Sequence, residues 1–217
     1  MSKRTPPTVY VVDDDASVLK SLGRMLRRAG FAVECFSSGR DFLAHPPPPG
    51  PSCMILDVRM PQLDGLELQA SLAARGCPPA IVFISGSSDI PISVRAMKAG
   101  AVDFLTKPYS TDELLDAVRR AVARSEVDQA RHARSEAIAG RMRTLSRREA
   151  EVLSQVVTGR LNKQIAGELG ITEKTVKVHR ARVMRKMQAD SVADLVRMGE
   201  VLGVRPSPEE HPSRAPE

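Results

Sequence analysis

Acidic, hydroxyl and basic side chains stand at the ends of four short apolar segments of this 217-residue chain. Those side chains are Asp13 and Asp14, Asp57, Ser85 and Lys107. Because the carboxyl ends of parallel strands meet at one edge of a sheet, we expect these side chains to lie close together. Carboxylates, one hydroxyl and one ammonium group at one place indicate a site for a divalent cation and a phosphoryl group.

The acidic residues predict a site for Mg²⁺ or Mn²⁺. Hard cations of this kind prefer a few carboxylates, a backbone carbonyl and water molecules as ligands. Three carboxylates crowded together repel one another unless a cation lies among them. The predicted ligands are Asp13, Asp14, Asp57 and the backbone carbonyl of Arg59.

Asp57 is the predicted nucleophile of this site. Its carboxylate can attack phosphorus and form an acyl phosphate, as in enzymes with aspartyl-phosphate intermediates. Lys107 would neutralise charge on the phosphoryl oxygens, and the Ser85 hydroxyl would donate a hydrogen bond to one of them. Taken singly, Asp13–Asp15 can be turn and cap residues, and Ser85 and Lys107 can be loop residues. Their coincidence at four strand ends favours the site.

An alternation of strand and helix patterns over residues 8–124 predicts the elements that position these side chains. Apolar strands are predicted at 9–12, 32–36, 53–57, 80–84 and 101–105. Helices are predicted at 16–29, 38–44, 64–74, 90–99 and 110–124. Five β–α units with mostly uninterrupted apolar strands predict an α/β fold, in which a buried parallel sheet has helices on both faces.

The composition changes after the fifth unit. Residues 125–143 have sparse apolar positions, which predicts a solvated helical linker, with a short coiled coil as the alternative. Residues 144–203 predict a small all-α unit, in which Ser146 and Glu149 have the spacing of a capping box. Its helices are predicted at 147–158, 162–169, 172–187 and 191–202. The polar, Pro-rich segment 204–217 predicts a disordered tail.

Positive charge is concentrated in the all-α unit. The chain has a net charge of +6, and residues 141–188 hold 12 Lys and Arg against 4 Asp and Glu. In the third helix of this unit Val176, Val183 and Met187 fall on one predicted buried stripe. A short helix, a tight turn and a basic helix in succession favour a helix that enters a DNA groove over a merely solvated basic face.

The remaining composition narrows the class of protein. The sequence shows no run of about 18 apolar residues that would span a membrane. Its basic start lacks the apolar middle of a signal peptide, so we expect a cytoplasmic protein with no membrane partner. Cys35 and Cys53 fall in apolar strand patterns and Cys77 lies far from both, which favours small buried side chains over metal ligands or redox sensing.

Residues 8–124 resemble the receiver domain of two-component response regulators. The motifs that carry the resemblance are Val11–Asp15, Leu56–Pro61, Ser85-Gly86 and Asp103–Pro108. The resemblance implies a flavodoxin-like sheet of order 2-1-3-4-5, phosphorylation of Asp57 by a sensor histidine kinase, and a cis peptide bond before Pro108. It also implies that Phe104 is an aromatic switch whose inward rotamer accompanies movement of the Ser85 hydroxyl. The alternative is an ordinary strand aromatic packed on the core.

The basic unit resembles a LuxR-type helix-turn-helix domain, and residues 8–202 as a whole are most similar to FixJ-type transcriptional regulators. The motifs are Leu145–Leu153, Asn162–Ala166, Thr175–Arg180 and Met184–Met187. The resemblance places Lys177, Val178 and Ala181 at base-reading positions, although Ala181 departs from the longer polar residue of some relatives. Other expected DNA-binding residues are Lys174 and the phosphate-contacting Arg180, Arg182, Arg185 and Lys186.

The two resemblances together predict a response regulator rather than an enzyme that acts on external substrates. Phosphorylation adds about −1.5 to −2 charge at Asp57. This is expected to promote a homodimer through the fourth helix, fifth strand and fifth helix, with Val94, Lys98 and Asp103 as contributors. Two DNA-binding units would then engage a roughly palindromic double-stranded site, with RNA polymerase as a further partner.

Two alternatives to this function stay open at this point. One is a DNA-binding transcription factor that acts independently of phosphorylation. The other is an aspartate-based phosphohydrolase, although such enzymes usually have an acid two residues after the nucleophile, where this chain has Arg59.

Overall fold

The computed structural model describes residues 7–46, 50–74, 78–87 and 89–201 of the chain. These residues form two compact units, one up to His132 and one from Ala133. The described part of the first unit contains a five-stranded sheet of order β2-β1-β3-β4-β5, in which all neighbouring strands are parallel. The strands are β1 Thr8–Val12, β2 Ala32–Phe36, β3 Ser52–Asp57, β4 Ala80–Ser85 and β5 Asp103–Thr106. The predicted α/β class and the strand order 2-1-3-4-5 are confirmed.

Helices cover both faces of this sheet, because alternate residues of each strand point to opposite sides. The helices are α1 Ala16–Arg28, α2 Gly39–Ala44, α3 Gly65–Ala73, α4 Ile90–Lys98 and α5 Thr111–Arg143. Val9 and Val11 of β1 pack in one apolar cluster with residues of α1 and α5, whereas Tyr10 and Val12 pack in a second cluster with residues of α2, α3 and α4. Strand β3 lies between β1 and β4 and is buried along its whole length.

The two edge strands of the sheet, β2 and β5, differ from the prediction in two respects. Cys35 is exposed, because β2 is an edge strand and none of its residues is fully covered; the expectation that Cys35 is buried is wrong. Cys53 in the interior strand β3 is buried as predicted, and Cys77 lies outside the described residues. Strand β5 begins later than predicted, since the Ala101 N–H donates at 3.1 Å to the Ala96 carbonyl at the end of α4.

The second unit is all-α and has its own apolar core. Its helices are α6 Arg147–Val157, α7 Asn162–Leu169, α8 Glu173–Met187 and α9 Val192–Val201. The Ser146 and Glu149 capping box is present, and Gly170 takes the left-handed conformation, φ +64, in the turn between α7 and α8. The core includes Ile138 of α5 and Val176, Val183 and Met187 of α8, which confirms the predicted buried stripe of α8.

Residues 125–143 are helical as predicted, but the expectation that they form a solvated linker is wrong at two positions. Ser125 is 3% exposed, and its Oγ accepts a hydrogen bond at 3.0 Å from the Ser52 N–H at the start of β3. Ile138 is 3% exposed within the core of the second unit. Ser125 and Ile138 are therefore parts of the packed units. Buried positions as sparse as these give no periodic apolar pattern that the sequence could show. The predicted tail 204–217 lies outside the described residues.

None of the described helices combines the length and the apolar character that crossing a membrane requires.

Candidate functional site

Asp57 and Asp13 meet at the carboxyl edge of the sheet with one ammonium group between them. The Lys107 Nζ lies 3.0 Å from Asp57 Oδ1 and 3.4 Å from Asp13 Oδ2. The carboxylates are largely enclosed, since Asp13 is 1% and Asp57 8% exposed, whereas the Lys107 side chain is 32% exposed. The structure therefore brings together three of the predicted site residues, two acids and the lysine, in one partly open cleft.

Backbone N–H groups donate to the carboxylates of Asp13 and Asp57, and a backbone hydrogen bond holds Lys107 at the end of β5. The Asp15 N–H donates to Asp13 Oδ1 at 2.8 Å, and the Arg59 N–H donates to Asp57 Oδ2 at 2.7 Å. The Lys107 N–H donates to the Ser85 carbonyl at 2.7 Å, which extends the pairing of β4 and β5 up to the lysine. The Lys107–Pro108 peptide bond is cis, as the family resemblance implied.

Burial and charge act on the acid–base properties of this cleft. Burial raises the pKa of Asp13, and the nearby Asp57 charge adds to that effect, although the hydrogen bond from Asp15 and the charge of Lys107 oppose it. Partial burial lowers the pKa of Lys107, but the hydrogen bonds to Asp57 and Asp13 and their charges outweigh it, so the pKa is raised. Lys107 is thus held as a cation between two carboxylates.

Tyr109 stands beside this charged group. It is half-buried two residues after Lys107, and burial raises the pKa of its hydroxyl. The Lys107 charge opposes that shift, while the charges of Asp13 and Asp57 add to it. The phenol therefore lies within the electrostatic field of the cleft.

Gly65 is a site residue that the sequence patterns did not reveal. A Cβ atom at this position would lie 2.4 Å from the Asp57 carbonyl oxygen and 3.2 Å from the Val58 Cα. Its N–H donates to the Val58 carbonyl at 3.0 Å, so the first turn of α3 contacts the backbone directly after β3. A glycine that follows a helix-capping Asp64 was the available signal, since close backbone approach is one reason for a glycine.

Two other predicted residues of this site, Ser85 and Phe104, contact neighbouring residues of the first unit. The Ser85 hydroxyl is buried and donates to the Ser87 carbonyl at 3.0 Å, while accepting from the Ser87 N–H at 3.2 Å. Its hydrogen bonds in this structure are therefore made within its own loop. Phe104 is half-buried, with its ring centroid 6.1 Å from that of Phe83, and packs against the second apolar cluster of the sheet.

The predicted cluster of three metal-binding carboxylates is not assembled in this structure. Asp14 is exposed, whereas Asp13 and Asp57 share the Lys107 ammonium group. Over the residues that the structure describes, no three His, Cys, Asp or Glu side chains are close enough to hold a metal ion. The donor set still suits a cation, because two enclosed carboxylates face one another with a single positive charge between them. The carbonyl of Arg59 stays a predicted ligand.

The surface of α4 carries an apolar stripe. Ile90 is 73% exposed, and Val94 and Met97 are each 44% exposed, at spacings of four and three residues on one helix face. Of the predicted dimer residues, Val94 and Lys98 are exposed on this helix. Asp103 is occupied instead, since it forms an ion pair with Arg120 and accepts from the Phe104 N–H at 2.8 Å. Ile90 and Met97 were missed, although the same helical spacing indicated them.

Most of the predicted DNA-binding residues are exposed on α8. Two are engaged within the second unit instead: the Arg180 Nη1 donates to Asn162 Oδ1 at 2.8 Å, and the Lys186 Nζ donates to Glu149 Oε2 at 2.6 Å. The Lys186 Nζ also donates to the Thr144 carbonyl at 2.9 Å. The exposed residues are Lys174, Lys177, Val178, Ala181, Arg182 and Arg185.

Glu149 is the partner that sequence patterns did not connect with Lys186. It is 3% exposed, and the hydrogen bond from Lys186, together with that from the Ser146 N–H, lowers its pKa to about 2. The capping box is a sufficient reason for Glu at position 149. The sequence therefore offered no reason to expect a partner for Glu149 far along the chain.

Comparison with known proteins matches both units of the chain. The family model of the response regulator receiver domain matches residues 9–119, and that of the luxR family of bacterial regulatory proteins matches residues 143–199. The chain is 48% identical to nodulation protein W of Bradyrhizobium diazoefficiens over 203 residues, 92% of this chain and 88% of that protein.

Two further relatives span nearly the whole chain. It is 44% identical to the transcriptional regulatory protein FixJ of Azorhizobium caulinodans over 206 residues, which cover 94% of this chain and 97% of FixJ. The solved structure of response regulator StyR is similar with a TM-score of 0.74 and 47% sequence identity, covering 90% of this chain and 99% of StyR.

Proposed function

Because this chain belongs to the two-component response regulators that carry a LuxR-type DNA-binding domain, we propose that phosphorylation of Asp57 controls its binding to a specific DNA sequence. Proteins of this family regulate transcription and are not enzymes on external substrates, which sets the phosphohydrolase alternative aside. A receiver domain implies a kinase as one partner, and a LuxR-type domain implies DNA as the other. The protein acts in the cytoplasm in this proposal, with residues 8–124 as the receiver and 144–203 as the DNA-binding domain.

The contact of Lys107 with both Asp57 and Asp13 is the observation that carries the proposal. An Asp57 carboxylate oxygen attacks the phosphorus of a phosphohistidine on a sensor histidine kinase. The new O–P bond replaces the N–P bond, and the imidazole leaves with its electron pair and takes up a proton. Lys107, already 3.0 Å from Asp57 Oδ1, then pairs with the phosphoryl oxygens.

Asp13 and Asp57, with Asp14 and the Arg59 carbonyl, would hold Mg²⁺ or Mn²⁺ beside the phosphorylated carboxylate. When bound, the cation supplies positive charge to the phosphoryl oxygens. The two enclosed carboxylates support this assignment, since each additional negative charge in the cleft needs a compensating cation.

Ser85 and Phe104 would couple phosphorylation of Asp57 to a conformational change at the surface of α4, β5 and α5. The Ser85 hydroxyl exchanges its bonds with Ser87 for one to a phosphoryl oxygen, and Phe104 moves inward toward the space that the hydroxyl leaves. Dimerisation through the α4 surface buries the apolar stripe of Ile90, Val94 and Met97. Asp103 contributes to this interface only if it releases Arg120.

The dimer would present two copies of α8 to a roughly palindromic duplex. Lys177, Val178 and Ala181 read base edges in this proposal, while Lys174, Arg182 and Arg185 contact phosphates. Exposure of all six side chains supports their contact with DNA. RNA polymerase is the expected further partner at a promoter.

A phosphorylation-dependent selection experiment tests the proposal. The full chain is incubated with Mg²⁺ and beryllofluoride, a phosphoryl mimic, and used to select duplexes from a random library. We expect a dimer by light scattering and an enriched sequence; Asp57→Asn should give neither, while Asp41→Asn at an exposed site on α2 should give both. If Asp57→Asn enriches the same duplex with the same affinity, the protein is a phosphorylation-independent DNA-binding factor.

A further inference from the structure

A partly buried ion pair joins the end of α8 to the beginning of α6. Lys186 lies in the last turn of α8, and its Nζ donates to Glu149 Oε2 at 2.6 Å and to the Thr144 carbonyl at 2.9 Å. Glu149 lies in the first turn of α6 and also accepts from the Ser146 N–H at 2.8 Å. The pair therefore fastens the end of α8 to the beginning of α6 and to the segment that precedes it.

Resting on the proposed binding of DNA by α8, we propose that Lys186 and Glu149 are positioning residues for that binding and that Lys186 does not contact a DNA phosphate. An ammonium group has three donors, and Lys186 directs two of them at Glu149 and Thr144. Turning the side chain to a phosphate would leave the carboxylate of Glu149, which is 3% exposed, without its cation. Uncompensated buried charges are strongly unfavourable.

The contacts of Lys186 at the end of α8 influence the orientation of this helix relative to DNA. The buried stripe of α8 fixes which face is exposed, and contacts at the C-terminal end help to fix the direction of the helix axis. At the C-terminal end, the Arg141 Nη1 donates to the Met187 carbonyl at 3.2 Å, close to the Lys186 contacts. Base recognition needs side chains held within about 0.5 Å of the productive geometry, so a small tilt of α8 is enough to disturb it.

One substitution separates positioning from phosphate contact by the sign of its effect. In Glu149→Gln the amide still suits the capping-box position, because Gln serves there as well as Glu. The negative charge is lost, however, and Lys186 is released from its partner. If Lys186 contacts a phosphate, its release leaves DNA binding unchanged or stronger. If the pair positions α8, binding becomes weaker although no positive charge has been removed.

The test uses the full chain with beryllofluoride, the duplex that the unaltered chain selects, and a scrambled duplex of equal length, over a series of NaCl concentrations. We expect Glu149→Gln to weaken binding to the selected duplex by about tenfold, comparable to losing one base-pair contact, with the scrambled duplex unaffected. Lys186→Met should behave in the same way, and Lys186→Arg should restore the preference, since a guanidinium can also pair with Glu149.

The salt dependence of binding provides a matched control on the same helix. Removing one phosphate contact lowers the slope of log affinity against log salt concentration by about 1. Arg182→Gln, at an exposed position of α8, should show this decrease. Glu149→Gln and Lys186→Met should leave the slope unchanged. A decrease in slope for Lys186→Met that equals the one for Arg182→Gln would overturn the proposal.

Two further outcomes would also contradict the proposal that Lys186 and Glu149 position α8. If Glu149→Gln binds the selected duplex as tightly as the unaltered chain or more tightly, Lys186 is not held in a positioning role. If it weakens binding to both duplexes by the same factor, as a loss of folded protein does, the pair is structural only. Failure of the proposed function looks different, because the unaltered chain would then select no duplex or would bind the selected duplex equally well without beryllofluoride.

Discussion

A Cβ atom on Gly65 would lie 2.4 Å from the carbonyl oxygen of Asp57. Helix α3 therefore begins against the backbone that carries the candidate phosphoacceptor, with no room for a larger residue. The obstruction is backbone rather than a flexible side chain, so the structure can accept a Cβ only by displacing the end of β3.

We expect Gly65→Ala to damage both stability and phosphorylation. Forcing an extra carbon into a packed site costs about 1–3 kcal/mol in free energy of unfolding. Displacement of Asp57 relative to Lys107 should also slow phosphoryl uptake from acetyl phosphate. Urea unfolding and a phosphoprotein gel measure the two effects. Gly50→Ala is the control, because a Cβ there meets nothing within 4 Å; equal behaviour of the two variants would contradict the prediction.

We expect Asp13→Asn to stabilise the first unit at neutral pH while weakening phosphorylation. Burial raises the pKa of Asp13 above its usual 3.8, so the unfolded chain releases this proton at lower pH than the folded chain does. The ionised Asp13 carboxylate therefore destabilises the folded state as the pH rises above 3.8. The stabilisation by Asp13→Asn should disappear below about pH 4.

Thermal unfolding over a pH series measures the difference in stability between Asp13→Asn and the unaltered chain. Asp14→Asn, at an exposed position, should change the stability by less than about 0.5 kcal/mol at every pH. A constant gain for Asp13→Asn down to pH 3 would mean that its source is not the buried charge.

We expect Ile90→Ser combined with Val94→Ser to weaken dimerisation of the beryllofluoride-bound chain about tenfold, or about 1.4 kcal/mol. Both side chains belong to the exposed stripe of α4, which the proposed dimer removes from water. Analytical ultracentrifugation gives the dissociation constant. Val192→Ser, at a 39% exposed valine of the second unit, should leave it unchanged. An unaltered dimer in the α4 variant would place the interface elsewhere.

We expect the ion pair of Glu149 to make the second unit sensitive to acid. Its pKa falls from the usual 4.5 to about 2 in the folded chain, so the folded state binds this proton less readily than the unfolded state. The stability that this provides is fully present above pH 4.5 and is lost as the pH falls toward 2.

The melting temperatures of the unaltered chain and Glu149→Gln, measured by circular dichroism, should therefore converge as the pH falls from 4.5 toward 2. Glu136→Gln, at an exposed position of α5, should run parallel to the unaltered chain throughout. Parallel curves for Glu149→Gln would show that the carboxylate titrates alike in both states.

The central part of the site was predictable because local patterns determine it. Uninterrupted apolar strands indicated a parallel sheet, and a parallel sheet brings Asp13, Asp57 and Lys107 to the same edge regardless of side-chain detail. The same reasoning found the buried stripe of α8, since helical periodicity depends only on neighbouring residues.

Contacts between distant residues were not predictable in this way. Arg120 and Asp103, or Lys186 and Glu149, are charged residues of a kind that is usually solvated, and nothing in their spacing selects one partner over another. Cys35 was misplaced for a related reason: an apolar strand pattern does not say whether the strand lies inside the sheet or at its edge. Whether a predicted phosphate-binding lysine is free depends on such contacts.

The position of Tyr109 beside Lys107 has an optical consequence. The chain contains no Trp and two Tyr, and both of these, Tyr10 and Tyr109, precede Ala133. Ultraviolet fluorescence of the unlabelled protein therefore arises only in its first unit. A change of emission on adding beryllofluoride would report the surroundings of one phenol at the cleft, without a background from the helices that meet DNA.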